Sequence, residues 1–562
     1  MKKKIYKQKT RTYPFSLFFL FASVAVVLIL GSLFLKTHFP AYAAGTTYYV
    51  SSSGNDTNNG LSQTSPWQTI NKVNSMTFQP GDSILFEGGQ TFYGKLYFTG
   101  NNSGTMVSPI TIASYGTTSA TINGGTSDTF FAYKVGGFSI HNIIFSGTSG
   151  NTGSAINFYT DTTPGTLLDY IAIADVSING FNNGISIGSN NTSGYSNVSI
   201  KRTTITNGIM NGLITYAGGM NVHKNITVDH VTVSNITGVA GQNSSSGNGI
   251  LLGGVDGAVV DHSMVHDSGQ LCTAHDCAAG IWTYDANNVT IQHSEVYNMH
   301  TGGSSDGDGF DLDKDTKNSV IQYNYSHNND GPGLLLANNV ASASTQYGNN
   351  TIRYNISEND ARKNPATGAI LAYGSILNTQ VYNNTVYTTP NPNGIPNAVT
   401  IGNWTIESLV PTGLYFRNNI FQTTGSVPFV NIISSEFPVM GNITFQQNNY
   451  FASGASWRVI WGTKTYTSLS SWQGGTGEEK KGTSLTGITS NPLLTKPGTG
   501  GTITNIDNLA TLSAYKLQSS SPMRQKALNL TTNFGINPGP VDFYGTTIPQ
   551  YIYFDIGAHE YK

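Results

Sequence analysis

Short apolar segments recur along the middle of the chain at a nearly constant interval. Their anchor positions are 32, 31, 30, 31 and 29 residues apart. The anchors are Val228, Val260, Ile291, Ile321, Ile352 and Val381. Short strands at a period of about 30 residues predict a solenoid, in which each repeat buries its apolar face only against its neighbours.

A second short strand follows each anchor, and a small residue opens it. The opening residues are Gly184, Gly212, Gly249, Gly280, Gly309, Gly333, Ala369 and Ala398. Strands this short and this regular predict an all-β fold, a parallel β-helix of about ten to eleven coils that rise about 4.8 Å each. We expect a right-handed helix, because that is the usual sense of a parallel crossover.

Two further columns of residues keep the same period. Aromatic rings stand two positions after the anchors, at His230, His262, His293, Tyr323 and Tyr354. Amide or carboxyl side chains stand seven positions after the anchors, at Asn235, Asp267, Asn298, Asn328 and Asn359. The first column predicts a stack of rings rather than catalytic bases, and the second predicts a ladder of side-chain hydrogen bonds at a turn.

The N-terminus has the layout of an export signal. Six basic residues precede residue 12, an uncharged apolar run extends from residue 15 to 35, and Ala-Tyr-Ala-Ala follows at 41–44. We interpret residues 1–43 as a signal peptide or a membrane anchor, because the apolar run is also long enough to span a bilayer. Both alternatives predict that the rest of the chain is secreted or held at the cell surface.

Composition and charge narrow the choice of partners. Without residues 1–43 the chain has 21 Lys and Arg against 30 Asp and Glu, a net charge of −9, which argues against a nucleic-acid partner. The predicted membrane contact is confined to the N-terminal segment, and a solenoid of this kind is expected to be a monomer. The predicted boundaries are an N-terminal cap at 44–125, β-helix repeats at 126–452 and a C-terminal capping segment at 453–562.

Both ends of the mature chain resemble a known group of proteins. Residues 48–60 and 78–86 resemble the N-terminal part of secreted right-handed parallel β-helix proteins, and residues 542–545 and 555–560 resemble their closing segment. The resemblance is to the pectate-lyase-like superfamily, which includes polysaccharide lyases, glycoside hydrolases and epimerases. It implies this fold and a carbohydrate ligand, and it covers essentially the whole mature chain.

The segment 304–315 contains five aspartates and is the main candidate for chemistry. If Phe310 and Leu312 point inward, strand alternation turns Asp311 and Asp313 outward, side by side on one exposed strand. Asp306 and Asp313 are seven residues apart, and the segment resembles that of some β-helix glycosidases in which two aspartates at this separation are nucleophile and acid/base. The catalytic pair is therefore expected among Asp306, Asp311 and Asp313.

Side chains from neighbouring coils are expected to converge on the same groove. The alternation brings aromatic residues beside the carboxylates, where sugar rings can stack. The predicted substrate-binding residues are Trp282, Tyr284, Tyr373, His327, Asp330, Arg362 and Lys363.

Two other interpretations of this region stay open. The aspartates can be solvated solenoid surface, or Asp306, Asp308 and Asp311 can hold calcium, although their spacing does not match an EF-hand loop. Cys272 and Cys277 are the only cysteines, and in an exported chain they predict a disulfide beside the groove.

The sequence supports three functions. The first is a glycoside hydrolase that acts on a polysaccharide or oligosaccharide through paired aspartates and requires no cofactor. The second is a calcium-dependent polysaccharide lyase or epimerase on a uronate polymer, with Lys363 or Arg362 as base. The third is a surface protein that binds glycan in the same groove without cutting it.

Overall fold

The computed structural model describes residues 45–338, 346–363, 367–402, 411–433, 442–454 and 456–562. The predicted signal or anchor at 1–43 lies outside these residues. Within the described ranges, no helix has the length and apolar character needed to cross a bilayer.

The chain winds into a right-handed parallel β-helix of about 12 turns, which confirms the predicted fold class. Most coils contribute three strands, and equivalent strands of successive coils pair in parallel. The strands form three stacks. Two stacks merge into one 25-stranded sheet, and the third is a separate 14-stranded sheet, called sheet B below.

The first stack holds the anchor strands. Its members are Thr47–Val50, Ser83–Glu87, Ile110–Tyr115, Phe138–His141, Leu167–Ala174, Gly194–Thr206, His223–Ser234, Val255–Asp261, Asn287–Gln292, Val320–Gln322, Thr351–Arg353, Leu377–Tyr382, Thr412–Arg417 and Ile443–Gln446. The parallel pairing begins at Thr47, so residues 44–125 already contain coils of the solenoid.

The second stack follows most anchor strands after a turn of one to four residues. Its own strands are Thr91–Tyr93, Ala120–Gly125, Ile143–Gly147, Ser177–Asn179, Met264–Ser268, Glu295–Met299, Tyr325–His327, Ile356–Glu358, Thr385–Thr388, Ile420–Thr424 and Asn449–Ser453. The long strands Gly194–Thr206 and His223–Ser234 run through both stacks and join them into one sheet.

Sheet B carries the strands with the small opening residues. They are Leu96–Thr99, Phe130–Tyr133, Ser154–Thr160, Asn183–Ser189, Asn211–Tyr216, Asn248–Gly253, Ala279–Tyr284, Asp308–Leu312, Leu334–Asn338, Gly368–Gly374, Asn397–Gly402, Val430–Ile432, Val459–Trp461 and the antiparallel Lys464–Tyr466. The remaining elements are the hairpin Lys480–Lys481 with Ser484–Leu485, the helices Ile70–Asn74, Leu469–Thr476 and Leu530–Phe534, and the 3₁₀ segments Ile506–Thr511 and Ser513–Tyr515.

The ring column predicted from the sequence is present at the turn between the first two stacks. Consecutive ring centroids from His230 to Tyr354 are 5.1, 4.9, 5.2 and 6.0 Å apart and stacked. These residues adopt left-handed backbone conformations, with φ between 42° and 59°. The rings therefore serve as turn residues that stack on the outside of the solenoid, as the spacing predicts.

The main hydrogen-bonded ladder lies at a different position from the predicted one. In the predicted column Asn298 donates to Asp267 at 3.0 Å. The regular ladder is one position after the ring column, where each asparagine Oδ1 accepts from the preceding rung's backbone N–H and Nδ2. It runs through the fully buried side chains of Asn324, Asn355, Asn384, Asn419 and Asn448.

The C-terminal residues form two different covers. The helix Leu469–Thr476 places the fully buried Trp472 against Phe445, Tyr450 and Trp461 at the end of the solenoid. The residues that follow run back along the second stack, where Tyr515 and Leu512 pack against Tyr325 and Ile356. This returning segment is called the tail below, and it reaches as far as His230, which bonds Asp507 at 2.8 Å.

The buried ladder predicts unequal effects for two asparagines. Asn384→Ala would leave the amides of Asn355 and the carbonyl of Ile352 without their partners in the core, at a cost of about 3 kcal/mol in unfolding free energy. Asn349→Ala removes two exposed ladder bonds at a residue with a left-handed backbone (φ 55°) and should cost only about 1 kcal/mol. Urea denaturation of both variants measures this; equal losses would contradict it.

Candidate active site

The strand Asp308–Leu312 is held between Ala279–Tyr284 and Leu334–Asn338 in sheet B. Phe310 and Leu312 are fully buried in the core, so Asp311 points to the outer face, as the alternation predicts. In register with Asp311 lie Trp282 in the preceding coil and Leu335 in the following one. The pairing thus places an aromatic ring, a carboxylate and an apolar side chain in one row.

This row opens into a cavity of about 300 Å³ on the outer face of sheet B. The cavity brings together six of the predicted residues: Trp282, Tyr373, Asp306, Asp308, Asp311 and Asp313. Its apolar floor is formed by Leu335 and Ala337, which the alternation also places beside the aspartate strand, and by Leu371, which sequence reasoning did not select. The register gives the missing signal, because Leu371 pairs with Leu335 in the row of Asp311.

Asp306 and Asp313 are half-buried at the cavity and differ in their surroundings. Burial and nearby carboxylates raise the pKa of Asp306 to about 7, although Cys277 N–H donates to its Oδ2 at 2.7 Å. Burial likewise raises the pKa of Asp313 to about 6, and the N–H of Lys314 at 2.6 Å limits that rise. At neutral pH the cavity therefore contains one carboxyl that is more readily protonated and one that is more readily ionised.

Asp308 and Asp311 are more deeply buried, at 1% and 4% exposure. Burial, with repulsion from neighbouring aspartates, raises both pKa values well above the usual range. One oxygen of each side chain, and the indole N–H of Trp282, have no hydrogen-bond partner among the described residues. These three polar groups line a cavity and are available to a ligand.

A disulfide loop positions Asp306. Cys272 and Cys277 are joined by a disulfide, with their Cα atoms 5.6 Å apart. The loop between them brings His275, Asp276 and Cys277 to the cavity wall. Because the backbone amide of Cys277 binds Asp306, the cross-link restrains one of the two titrating carboxyls.

Tyr284 and His327 are not in the cavity wall, contrary to the sequence-based expectation. Tyr284 leans over Gly253 of the preceding coil, where a Cβ atom would lie 2.4 Å from its ring. His327 lies in the second stack, 2% exposed, with its ring stacked between Tyr297 and Tyr325. Its Nε2 forms a hydrogen bond with Glu295 Oε1 at 3.1 Å, and the same oxygen accepts from the backbone N–H of Ile503 in the tail. His327 therefore supports the contact between the second stack and the tail.

The three loop residues also miss the cavity, because they bind the backbone of the turn that precedes sheet B. Asp330 accepts from Thr301 N at 3.0 Å and lies 3.5 Å from His300. Arg362 donates to the carbonyls of Asp360 and Thr389, and Lys363 donates to the carbonyl of Thr301. Each side chain stabilises a turn and does not line the cavity.

The aspartate cluster does not match a preformed metal site. Within the described ranges, the one group of three ligand atoms that lie within 4.8 Å of one another is Asp261, His262 and His293. There both histidine Nδ1 atoms bond the same oxygen of Asp261, at 2.7 and 2.9 Å. The point on which the two Nδ1 atoms converge is thus occupied by a carboxylate oxygen, and the two rings belong to the stacked column.

Comparison with known proteins gives matches in sequence and in structure. Residues 221–386 match a family model described as a right-handed β-helix region. The lacto-N-biosidase of Bifidobacterium longum subsp. longum is 26% identical over 448 residues, 61% of this chain. The chain spans about a quarter of the length of this curated relative, 27%.

Two solved structures illustrate the structural similarity. The GH136 lacto-N-biosidase from Eubacterium ramulus aligns with a TM-score of 0.45 and 17% identity, over 63% of this chain and 67% of that one. The pectate lyase Pel9A aligns with a TM-score of 0.35 and 14% identity, over 93% of this chain and 98% of that one.

We predict that removing the disulfide raises the pKa of Asp306, because the loop that it closes holds the N–H group that binds Asp306. Replacing Cys272 and Cys277 by Ala should destabilise the loop by about 2 kcal/mol and loosen the N–H bond to Asp306. Because that bond lowers the pKa of Asp306, its loss should raise this pKa further. Carboxyl NMR titration of both proteins measures the shift, with Asp313 as internal control; an unchanged or lowered Asp306 value would contradict it.

Proposed function

We propose that this protein is a glycoside hydrolase that acts on a neutral oligosaccharide or polysaccharide. The observation that carries the proposal is the presence of Asp306 and Asp313 in one cavity, with pKa values raised to about 7 and about 6. Two carboxyl groups with separated pKa values, one protonated and one ionised, are what glycosidic bond cleavage requires.

In the proposed reaction, Asp306 gives its proton to the glycosidic oxygen as the bond from that oxygen to the anomeric carbon breaks. Asp313, ionised, acts at the anomeric carbon, either directly or by taking a proton from the attacking water. Water supplies the hydroxyl group of the new reducing end, and its one remaining proton goes to a carboxylate. In the direct route that carboxylate is Asp306, which is thereby restored as the acid; in the water route it is Asp313, and exchange with solvent then returns both carboxyls to their starting states.

Asp308 and Asp311 have a different proposed role. Burial and neighbouring carboxylates raise their pKa values and so favour the neutral form, in which they bind sugar hydroxyls by hydrogen bonds without adding charge. The indole N–H of Trp282 donates to a sugar oxygen, and the ring of Tyr373 offers a face for sugar C–H groups.

Charge favours a neutral sugar. Among the described residues that line the cavity there are five aspartates and no Lys or Arg. These wall residues offer no permanent cation to pair with a uronate carboxylate, and the ionised Asp313 would repel it. Arg362 and Lys363, the predicted bases of the lyase alternative, bind backbone carbonyls elsewhere. The similarity to a lacto-N-biosidase makes a lacto-N-bioside the first substrate to test.

We also propose an extracellular location. The charge pattern of residues 1–43 supports export, and the disulfide between Cys272 and Cys277 suits an oxidising compartment. Cleaved and anchored forms both place the cavity outside the cell.

Substitution of the carboxyls should separate their roles. Asp313→Asn is expected to lower kcat/KM about a thousandfold on every substrate, because it removes the ionised group. Asp306→Asn should lose as much on an oligosaccharide but much less on 4-nitrophenyl lacto-N-bioside, whose leaving group needs no proton. Asp311→Asn keeps the shape of a side chain whose neutral form burial favours, so it is the matched control and should lose about tenfold or less. Binding without any new reducing ends would instead favour the noncatalytic glycan-binding alternative.

The rate should depend on pH in a narrow bell. kcat/KM should rise as Asp313 ionises through about pH 6 and fall as Asp306 loses its proton through about pH 7. With the 4-nitrophenyl substrate, Asp306→Asn should lose the alkaline fall and keep the acid rise. A fall that persists unchanged in that variant would rule out Asp306 as the acid.

Calcium should not be needed. Asp306, Asp308 and Asp311 do not bring three ligand oxygens together, and raised pKa values oppose cation binding. Hydrolysis with and without a calcium chelator should agree within about twofold. Activity that disappears on chelation and returns with calcium, accompanied by unsaturated uronate products, would favour the lyase alternative.

A further inference from the structure

A second polar cavity lies on the same outer face of sheet B, toward the N-terminal coils. It measures about 320 Å³, and its walls include Asp128, Asn157, Asn183, Ser186, Asn211 and Tyr216. It is called the distal cavity below. None of the sequence patterns predicted it, and the catalytic cavity does not include its residues.

The strand register connects the two cavities. One residue per coil leads from Asn157 through Ser186, Ile214, Leu251 and Trp282 to Asp311. Four coils separate Ser186 from Asp311, which is about 19 Å at the usual strand spacing. A linear oligosaccharide of a few sugar units can bridge that distance along the face.

Aromatic rings lie on this face beside the distal cavity. Tyr133 and Tyr159 are stacked, with centroids 6.2 Å apart. Tyr216 lies over Gly188 of the preceding coil, where a Cβ atom would be only 2.1 Å from its ring. The glycine therefore allows the ring to lie against the sheet, which leaves a platform of the kind that stacks on sugar C–H faces.

The polar groups of the distal cavity suit hydroxyl groups rather than ions. Asn211 donates to Asn183 at 2.9 Å, and Ser186, 5% exposed, adds a hydroxyl group to the same wall. The Oδ1 of Asn157 is buried without a partner among the described residues. The one carboxylate, Asp128, is paired with Lys95 at 3.3 Å, so the walls are close to neutral.

We propose that the distal cavity is a subsite for the same neutral glycan, which binds along sheet B with one part at Tyr216 and Asn157 and another at Asp311. This inference rests on the proposed function for the identity of the ligand. It adds that the protein prefers chains long enough to occupy both cavities, and that Tyr216 determines this length preference.

The test measures binding, so it does not depend on whether a bond is cut. Full-length protein carrying Asp313→Asn is applied to an array of neutral oligosaccharides of increasing length, including lacto-N-biose-terminated chains. Tyr216→Ala removes the platform, and Gly188→Ala keeps the tyrosine but pushes its ring off the sheet. Tyr415→Ala, a tyrosine on the first stack, is the matched control.

Both distal variants should weaken binding of long chains about tenfold and leave disaccharide binding unchanged, while the control changes neither. Equal effects on short and long chains, or no length-dependent binding to any member, would overturn the distal subsite. If the unsubstituted protein hydrolyses none of these chains but the length-dependent loss of binding is seen, the subsite stands and the proposed glycosidase does not. Circular dichroism melting of each variant identifies any loss that comes from unfolding.

Discussion

Main-chain hydrogen bonds between successive coils fix the position of every other group in this molecule. They set one coil about 4.8 Å above the next and force equivalent residues into register. Side chains far apart in sequence therefore become neighbours at fixed spacing, as Trp282, Asp311 and Leu335 do. A functional surface in such a fold is a set of rows, and its chemistry depends on which residue each coil contributes to a row.

Because main-chain hydrogen bonds fix the rows, one strand can carry apolar side chains that point into the core and a carboxylate between them that points outward, without loss of the fold. Phe310 and Leu312 fill the interior, and the residue between them is a carboxylate with an unpartnered oxygen. Burying that carboxyl costs free energy, which the packing of the surrounding apolar core offsets. The same burial, with repulsion from neighbouring aspartates, raises the pKa of Asp311. A rigid scaffold can thus hold a buried carboxyl group with a raised pKa, and enzymes commonly depend on such shifted pKa values for their acids and bases.

Much of the fold could be predicted from the sequence, because the period of the anchors is a direct consequence of stacking. The same regularity placed Asp311 outward and brought Trp282 and Tyr373 to its side. His327 was misplaced, although the repeat carries the signal for it: His266 and Tyr297 precede it at the same position in the two preceding coils, and the three rings stack. Arg362 and Lys363 follow the ladder at a turn, where alternation gives no direction, and only the structure shows that backbone carbonyls bind them. The buried ladder of Asn355 and Asn384 was missed for another reason: a buried amide and an exposed one look alike in sequence.

The tail has a consequence for how this chain can change over evolution. It is bonded to His230 through Asp507, to Glu295 through Ile503 and to Glu358 through Gly500. These three attachments lie at a fixed number of coils from one another. If a whole coil were inserted or deleted between them, the tail could no longer reach all three. Coils before His230 carry no such attachment among the described residues. Descendants of this protein can therefore lengthen or shorten the N-terminal half, and with it the outer face of sheet B that leads to Asp311, while the half that contains the aspartates keeps its number of coils.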